Sequence, residues 1–317
     1  MTVWVGIDVS KETLDLAWFG EEGKKHHQVS NDGEGFRKLV RAAPGGAKFV
    51  MEATGTYYLN LALFLHQEGH HVSVVNPIRI KGHMKSELMR TKSDKADAYA
   101  IAKFGEEKRP GAWFPVSSQV AHLKQLVALD ELLTRDSTRL SNLLESQVCT
   151  SFINQDTVQR IKRLRRYLEL EREGIKAELE ALLMGSLSHT VDLIASIPGI
   201  GRATAIKFVS TVGDFRRFPD SRKLVSFLGM SPMSKQSGTS VRSKGHISRL
   251  GGTRLRGALY VCAWTAIEKN ASCKAMWERM TEKKIHGKKA IVAVMGKLIR
   301  QAYSLVIHDR YYDPCFA

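Results

Sequence analysis

The stretch "TKSDKADAYAIAKF" (residues 91–104) places Asp94 and Asp97 three residues apart at the predicted start of a helix. A single aspartate at such a position is explained by capping, because it satisfies free N–H groups and offsets the positive end of the helix dipole. Two aspartates at i and i+3 lie on the same side of the helix and point to one region of space. The spacing therefore indicates either helix capping or half of a cation site.

Two further acids stand in apolar surroundings in the same part of the chain. Asp8 lies inside the strand-like "VGIDVSK", and Glu52 ends the strand-like "FVMEATG". A buried carboxylate is costly unless it has a partner or a cation. Magnesium prefers oxygen ligands, and bound metals stabilise the attacking and leaving oxygens of a phosphodiester. We therefore predict a Mg²⁺ site formed by Asp8, Glu52, Asp94 and Asp97, which would act as catalytic residues.

The elements around these acids predict an α/β domain over residues 1–112. The segments "VWVGIDVS", "LDLAWF", "KFVMEA" and "HHVSVVN" have the composition of strands, and "TYYLNLALFLHQEG" is an amphipathic helix. The order of strand with Asp, hairpin, strand with Glu, helix, strand and D-x-x-D resembles the RuvC and ribonuclease H class of nucleases. The segment "GIDVS" also resembles the first phosphate loop of actin-like kinases and chaperones, but the sequence lacks the second glycine-rich loop of that class.

Residues 113–185 form the second predicted region, a helical coiled-coil connector. Its leucines and isoleucines follow a heptad spacing typical of two antiparallel helices. The residues in this pattern are Leu126, Leu129, Leu133, Leu140, Leu143, Ile161, Leu164, Leu168, Ile175 and Leu182. The alternative interpretation is an ordinary helix pair within a globular core.

Residues 186–317 are predicted to be a mostly α-helical domain. It opens with "IPGIG", where Gly199 and Gly201 resemble the hairpin of helix-hairpin-helix modules, whose backbone N–H groups hold a phosphate; a simple tight turn is the alternative. Further on, serines and threonines alternate with basic residues, as in a phosphate-binding loop. The predicted nucleic-acid-binding residues are Lys92, Gly199, Gly201, Lys235, Arg242, Lys244, Arg249, Arg254 and Arg256.

Charge and composition restrict the possible partners. The formal net charge is +16, and residues 231–300 contain fifteen Lys or Arg against only Glu268, Glu278 and Glu282. Such a concentration favours a polyanion as partner. The four cysteines lack metal-ligand spacing, and the sequence shows neither a charged leader nor an uninterrupted apolar run of membrane-spanning length. We expect a soluble, cytoplasmic protein with no membrane partner.

The motifs read together resemble the DEDD transposases of the insertion-sequence one-ten family over nearly the whole chain. The matching segments, in order, are "GIDVSK", "MEATG", "NP", "RTKSDKADA", "IPGIG", "LGMSP", "QSG", "G-H-I-S-R", "LR" and "GKKAIVAVMGKLI". One departure is Gly252, where the family often has Asn or Asp. The resemblance implies a RuvC-like first domain and a C-terminal transposase domain with a nucleophilic serine.

The resemblance also implies residue roles and partners. The family's acidic tetrad falls on Asp8, Glu52, Asp94 and Asp97, and its serine falls on Ser237 in "QSG". Members cut and rejoin donor and target double-stranded DNA, guided by a structured non-coding (bridge) RNA, as dimers that pair into a tetramer, in the bacterial nucleoid. A hydrolytic Holliday-junction nuclease and a non-catalytic nucleic-acid-binding adaptor are the alternative functions.

Overall fold

The structure is a computed structural model, and the chain divides into two compact units, Met1–Pro115 and Val116–Ala317. It describes residues 2–21, 23–88, 93–149, 154–233, 236–237, 241–242, 246–248, 253–285 and 287–316.

A five-stranded mixed sheet forms the centre of the first unit. Its strands are β1 (Trp4–Val9), β2 (Thr13–Gly20), β3 (Gly23–Ser30), β4 (Lys48–Glu52) and β5 (His71–Val75). They lie in the order β3-β2-β1-β4-β5. The β1–β2 and β2–β3 pairs are antiparallel, whereas β1–β4 and β4–β5 are parallel. This arrangement confirms the predicted α/β first domain.

Helices cover both faces of this sheet. They are α1 (Gly33–Ala42), α2 (Leu59–Gln67), α3 (Pro77–Ser86) and α4 (Asp94–Lys108). The sequence patterns predicted α2 and four of the strands but missed β3, whose sequence "GKKHHQVS" is polar and mostly exposed. Such an edge strand carries no apolar alternation because little of it is buried.

Alternation along the strands separates two apolar cores. Val5, Ile7 and Val9 point to the face that carries α1 and α2. Trp4 points to the opposite face, where it packs with Ile101 of α4. Because side chains alternate along a strand, Gly6 and Asp8 share the face of Trp4.

Helix α4 lies in close contact with β1 at Gly6. A Cβ atom at Gly6 would stand 2.8 Å from the Ala102 Cα and would also collide with the Ala98 carbonyl oxygen. One turn further along, a Cβ at Gly105 would stand 2.9 Å from side-chain atoms of both Trp4 and Val50. Small residues on both sides thus allow the backbone of the helix to approach the sheet. The helix runs antiparallel to β1, and its N-terminus points toward the end of β1 that carries Asp8.

Two long helices begin the second unit, α5 (Ser118–Val148) and α6 (Gln155–Leu182). Their antiparallel contact is marked by Arg172 Nε donating to Asp130 Oδ1 at 3.0 Å and by His122 at 3.0 Å from Glu178. Both Asp130 and Arg172 are partly buried, so this pair fixes the register of the helices.

The heptad assignment needs a correction at three positions. Leu129, Leu143 and Leu164 are exposed, whereas Leu123 and Leu126 are buried in the contact between helices. Leucines occur on more than one side of these helices, so the sequence pattern alone does not select the side that faces the partner.

The remainder of the second unit is mainly α-helical. Its helices are α7 (Ser186–Ala195), α8 (Arg202–Val212), α9 (Ser221–Phe227), α10 (Thr253–Lys269), α11 (Ala271–Glu282) and α12 (Gly287–Ile307). Short two-residue strands, β6 (Pro232–Met233), β7 (Gln236–Ser237), β8 (Val241–Arg242) and β9 (His246–Ile247), form two antiparallel pairs, β6–β9 and β7–β8.

Helix α12 has the length and composition of a membrane-spanning helix, with a mean hydropathy of 1.5 in its most apolar window. Half of that window is buried inside the unit. Ile291, Val294 and Leu298 belong to the core that also includes residues of α8 and α10. Its apolar character is therefore accounted for by packing between helices.

We predict that Gly6→Ala disrupts the contact between α4 and β1. The added methyl meets backbone atoms, which cannot rotate away. The free energy of unfolding should therefore fall by about 3 kcal/mol or more. Hydrogen exchange should accelerate in peptides that cover β1 and α4. Gly45→Ala is the matched control, because nothing lies within 4 Å of a Cβ at that position. Equal protection in the two variants would contradict the assigned contact.

Candidate active site

Strands β1 and β4 bring Asp8 and Glu52 side by side. Ile7 and Met51 are parallel register partners, and each acid is the next residue on its strand. The two side chains therefore leave the same face of the sheet at its carboxyl edge. Both are half-buried. Glu52 Oε1 accepts a hydrogen bond from the Thr54 hydroxyl at 2.6 Å, which restricts the carboxylate.

The start of α4 presents the other two acids to the same region. Its N-cap is Ser93, whose hydroxyl accepts from the Ala96 N–H at 3.2 Å. Asp94 and Asp97 lie in the first turn without serving as the N-cap. Ser93 and not an aspartate is therefore the N-cap, whereas Asp94 and Asp97 in the first turn still offset the positive end of the helix dipole, as the capping interpretation expects.

The four carboxylates share one electrostatic environment. Burial, as the largest cause, together with the negative charges of Asp97, Asp94 and Glu52, in that order of size, raises the pKa of Asp8 from 3.8 to about 6. Within the described ranges, no Lys, Arg or His forms an ion pair with Asp8, Glu52 or Asp94. The site therefore concentrates negative charge around Asp8.

Asp15 is a fifth carboxylate in this region, and the sequence patterns did not single it out. It is the register partner of Asp8 across β1 and β2, and it is 4% exposed. Its two oxygens accept from the His26 ring at 2.8 Å and the Gln28 amide at 3.0 Å. The charge of Asp15 also raises the pKa of Asp8. An acid within the strand pattern "LDLAWF" was the available signal, the same one that identified Asp8.

The donor set fits a hard divalent cation. All four predicted ligands are carboxylates, and Asp8 meets repulsion that a cation would relieve. Among the described residues, no three His, Cys, Asp or Glu side chains lie close enough to hold a metal ion as they stand. To share one ion, the four carboxylates would have to move closer together, with the cation offsetting their mutual repulsion.

The predicted serine lies in the second unit, on a short hairpin. Ser237 ends β7 and pairs with Val241 of β8, and Gln236 pairs with Arg242. Only the backbone of these residues is described, and the same holds for Arg254 near the start of α10. Lys92, Lys235, Lys244 and Arg249 lie outside the described residues.

Arg256 of α10 has an unusual environment. Its Nη1 is buried and has no hydrogen-bond partner among the described residues. A buried donor without an acceptor costs about 1–3 kcal/mol. Such a group is suited to an acceptor from a ligand, and a phosphate oxygen satisfies it well.

The two predicted hairpin glycines differ in their surroundings. Gly199 has a φ of +107°, and a Cβ there would stand 2.7 Å from the Ala266 Cβ on α10. Gly199 therefore permits the backbone conformation of the turn and the close packing of the turn against α10. Gly201 is exposed at the start of α8, and nothing lies within 4 Å of its Cβ direction. Of the two, Gly201 leaves room for a ligand at its backbone.

Comparison with known proteins identifies the class. Residues 5–153 match the family model of DEDD transposases of IS110 elements, described as "Transposase". Residues 191–278 match the model "Transposase IS116/IS110/IS902 family". The two models together cover most of the chain. The chain therefore belongs to the IS110 family of transposases, the insertion-sequence one-ten family that its motifs resemble, and transposases are enzymes of DNA recombination.

Relatives align along nearly the full chain. A "Pilin gene-inverting protein" of Moraxella bovis is 28% identical over 98% of this chain and 97% of its own length. The "Transposase for insertion sequence element IS1111A" of Coxiella burnetii is 24% identical over 97% of this chain and 90% of its own. Among solved structures, Thermus thermophilus RuvC in complex with a Holliday junction substrate is 15% identical, covering 35% of this chain and 99% of that one, with a TM-score of 0.27.

We predict that Asp8→Asn stabilises the protein at neutral pH. The raised pKa of Asp8 means that the folded state loses stability as pH rises from about 4 through about 6, and the full cost is present at pH 7. Removing the charge should raise the free energy of unfolding at pH 7 by about 1–2 kcal/mol, after allowance for solvent screening. Below about pH 4, wild type and variant should unfold at the same temperature, because Asp8 is then protonated in both states.

Calorimetric unfolding with and without Mg²⁺ provides the measurement. Added Mg²⁺ should stabilise the wild type and have less effect on Asp8→Asn. Glu68→Gln, which changes an exposed acid beyond α2, should behave as wild type at each pH. A variant less stable than wild type at pH 7 would contradict the charge concentration described above.

Proposed function

We propose that this transposase is an RNA-guided DNA recombinase that cuts and rejoins donor and target DNA through a covalent serine–DNA intermediate. The observation that carries the proposal is the concentration of carboxylates at one edge of the sheet, where Asp97, Asp94 and Glu52 act with burial to raise the pKa of Asp8. The order of strand with Asp, hairpin, strand with Glu and helix with D-x-x-D supports a RuvC-like catalytic domain.

The acids would hold magnesium at the carboxyl edge of β1 and β4. When bound, the metal neutralises charge on the phosphate that reacts. Asp8 and Glu52 supply ligands from the rigid sheet, and Asp94 and Asp97 supply them from α4. Asp15 lies beside Asp8 on β2, where His26 and Gln28 fix its carboxylate and its charge adds to the repulsion that a cation would relieve. Thr54 similarly holds Glu52 through its hydroxyl.

Ser237 would act as the nucleophile. Its Oγ attacks the phosphorus of the DNA backbone, the bond from phosphorus to the deoxyribose oxygen breaks, and that oxygen takes up a proton. The phosphodiester linkage is conserved in the serine–DNA bond, so attack by a deoxyribose hydroxyl can rejoin the strands. Lys235 and Arg242, which lie close to Ser237 in the sequence, support a cationic environment for the phosphate.

The partners follow from charge and from the family. A formal net charge of +16 suits a protein that binds both DNA and a structured guide RNA through their phosphates. The relatives called pilin gene-inverting proteins support a reaction that rearranges DNA segments. Since the acids and Ser237 belong to different units, we propose a composite site in which the acids of one protomer act with the serine of another, within a tetramer built from two dimers.

Formation of a protein–DNA adduct tests this function. Purified protein, Mg²⁺, RNA transcribed from the DNA flanking the gene, and labelled donor and target duplexes would be mixed and resolved on denaturing gels. Wild type should yield a covalent adduct that disappears in Ser237→Ala. Ser234→Ala and Ser240→Ala are the matched controls and should retain it. Equal cleavage by wild type and Ser237→Ala, with free ends and no adduct, would identify water as the nucleophile and the protein as a nuclease.

A second prediction concerns Arg256. Replacing it with Met removes the guanidinium and keeps most of the apolar stem, so the affinity for duplex DNA should fall. The slope of log affinity against log salt concentration should decrease by about one, the value for one phosphate contact. Binding measured over a series of salt concentrations gives that slope. Arg37→Met changes an exposed arginine of α1 and should leave the slope unchanged. The same slope in wild type and Arg256→Met would rule out a phosphate contact at Arg256.

A further inference from the structure

The outward side of α10 is apolar where a surface helix is usually polar. Its inward residues, among them Leu255, Leu259 and Ala263, pack into the core of the second unit. On the opposite side, Tyr260 is 44% exposed, Val261 66% and Trp264 47%. Large side chains in these positions are not required by the core, and exposing them carries a cost in water.

Three aromatic rings follow one another across this surface. The Tyr260 and Trp264 centroids are 6.4 Å apart with their planes at 83°, and the Trp264 and Trp277 centroids are 5.6 Å apart at 59°. We call Tyr260, Trp264 and Trp277 the aromatic stripe. In an edge-on pair, the ring that contributes its edge keeps its own faces free of its partner. Tyr260 and Trp264 thus combine exposed area with an edge-on geometry, whereas Trp277 is partly buried against the core.

Charges of both signs lie on the helices that carry the aromatic stripe, with positive charge in excess; exposed Glu268 stands one turn after Trp264. Lys269 at the end of α10 and Lys274, one turn before Trp277 on α11, are exposed. Residues 253–285, which include both helices, contain seven Lys or Arg and three acidic residues. A polyanion that also carries flat apolar rings is a good match for such a surface.

We propose that the aromatic stripe stacks unpaired bases of single-stranded nucleic acid. Base stacking on aromatic side chains, beside cations that follow the backbone, is the general mode of single-strand binding. A continuous duplex cannot use the stripe in this way, because the faces of its bases are already stacked on one another. This inference rests on the proposed function for the nucleic-acid class of ligand and adds a site for its unpaired segments.

Fluorescence anisotropy with a labelled oligo-uridine and a labelled duplex DNA tests the stripe. Trp264→Ala should weaken binding to the oligo-uridine about ten-fold and leave duplex affinity unchanged. Trp264→Phe keeps a ring and should retain most of the affinity. Tyr167→Ala, which removes a 59%-exposed tyrosine from α6, is the matched control and should bind as wild type.

Three results would overturn the inference. Unchanged affinity of Trp264→Ala for the oligo-uridine would remove the stacking role, and an equal loss for single strand and duplex would indicate a general effect on the fold or charge. If Trp264→Ala forms a smaller oligomer than wild type in sedimentation and keeps its affinity for the oligo-uridine, a second copy of the chain covers the stripe. Failure of the Ser237 adduct would leave these binding results unaffected, so the two proposals fail separately.

Discussion

The contact between Gly6 and α4 determines where the acidic residues lie. With no side chain at Gly6, the backbone of α4 approaches β1 directly, and Ala98 and Ala102 continue that contact. A helix held this closely has little freedom to slide or tilt. Its first turn therefore stays beside the carboxyl edge of β1 and β4, where Asp8 and Glu52 end their strands. The chemistry of the site thus depends on a packing constraint one turn away.

The resulting site is built at a cost to stability. Asp8 is half-buried among like charges, which its raised pKa records, and Asp15 adds a further negative charge behind it. Asp15 is itself held by hydrogen bonds from His26 and Gln28, whereas Asp8 faces the other acids at the carboxyl edge of β1 and β4. A protein that tolerates such repulsion in its folded state is suited to bind a cation at that point.

Much of the first unit could be predicted from local sequence. Spacing singled out Asp94 and Asp97, and single acids within apolar strands singled out Asp8 and Glu52; the structure brings these acids to one region, and their catalytic role stays a prediction. Asp15 was missed because its importance arises from strand register, which pairs residues distant in sequence. The leucine pattern failed at Leu129 for a related reason, since only the partner helix determines which stripe is buried. Spacing is a local property, whereas pairing between elements is not.

Anomalous scattering from crystals soaked in Mn²⁺, a cation with the same preference for oxygen ligands, tests the central claim most directly. The account predicts a difference peak bounded by Asp8, Glu52, Asp94 and Asp97, with the carboxylates drawn closer together than in the metal-free protein. A peak elsewhere, or a soaked crystal with no peak at this edge of the sheet, would contradict the assignment of these four acids as one metal site.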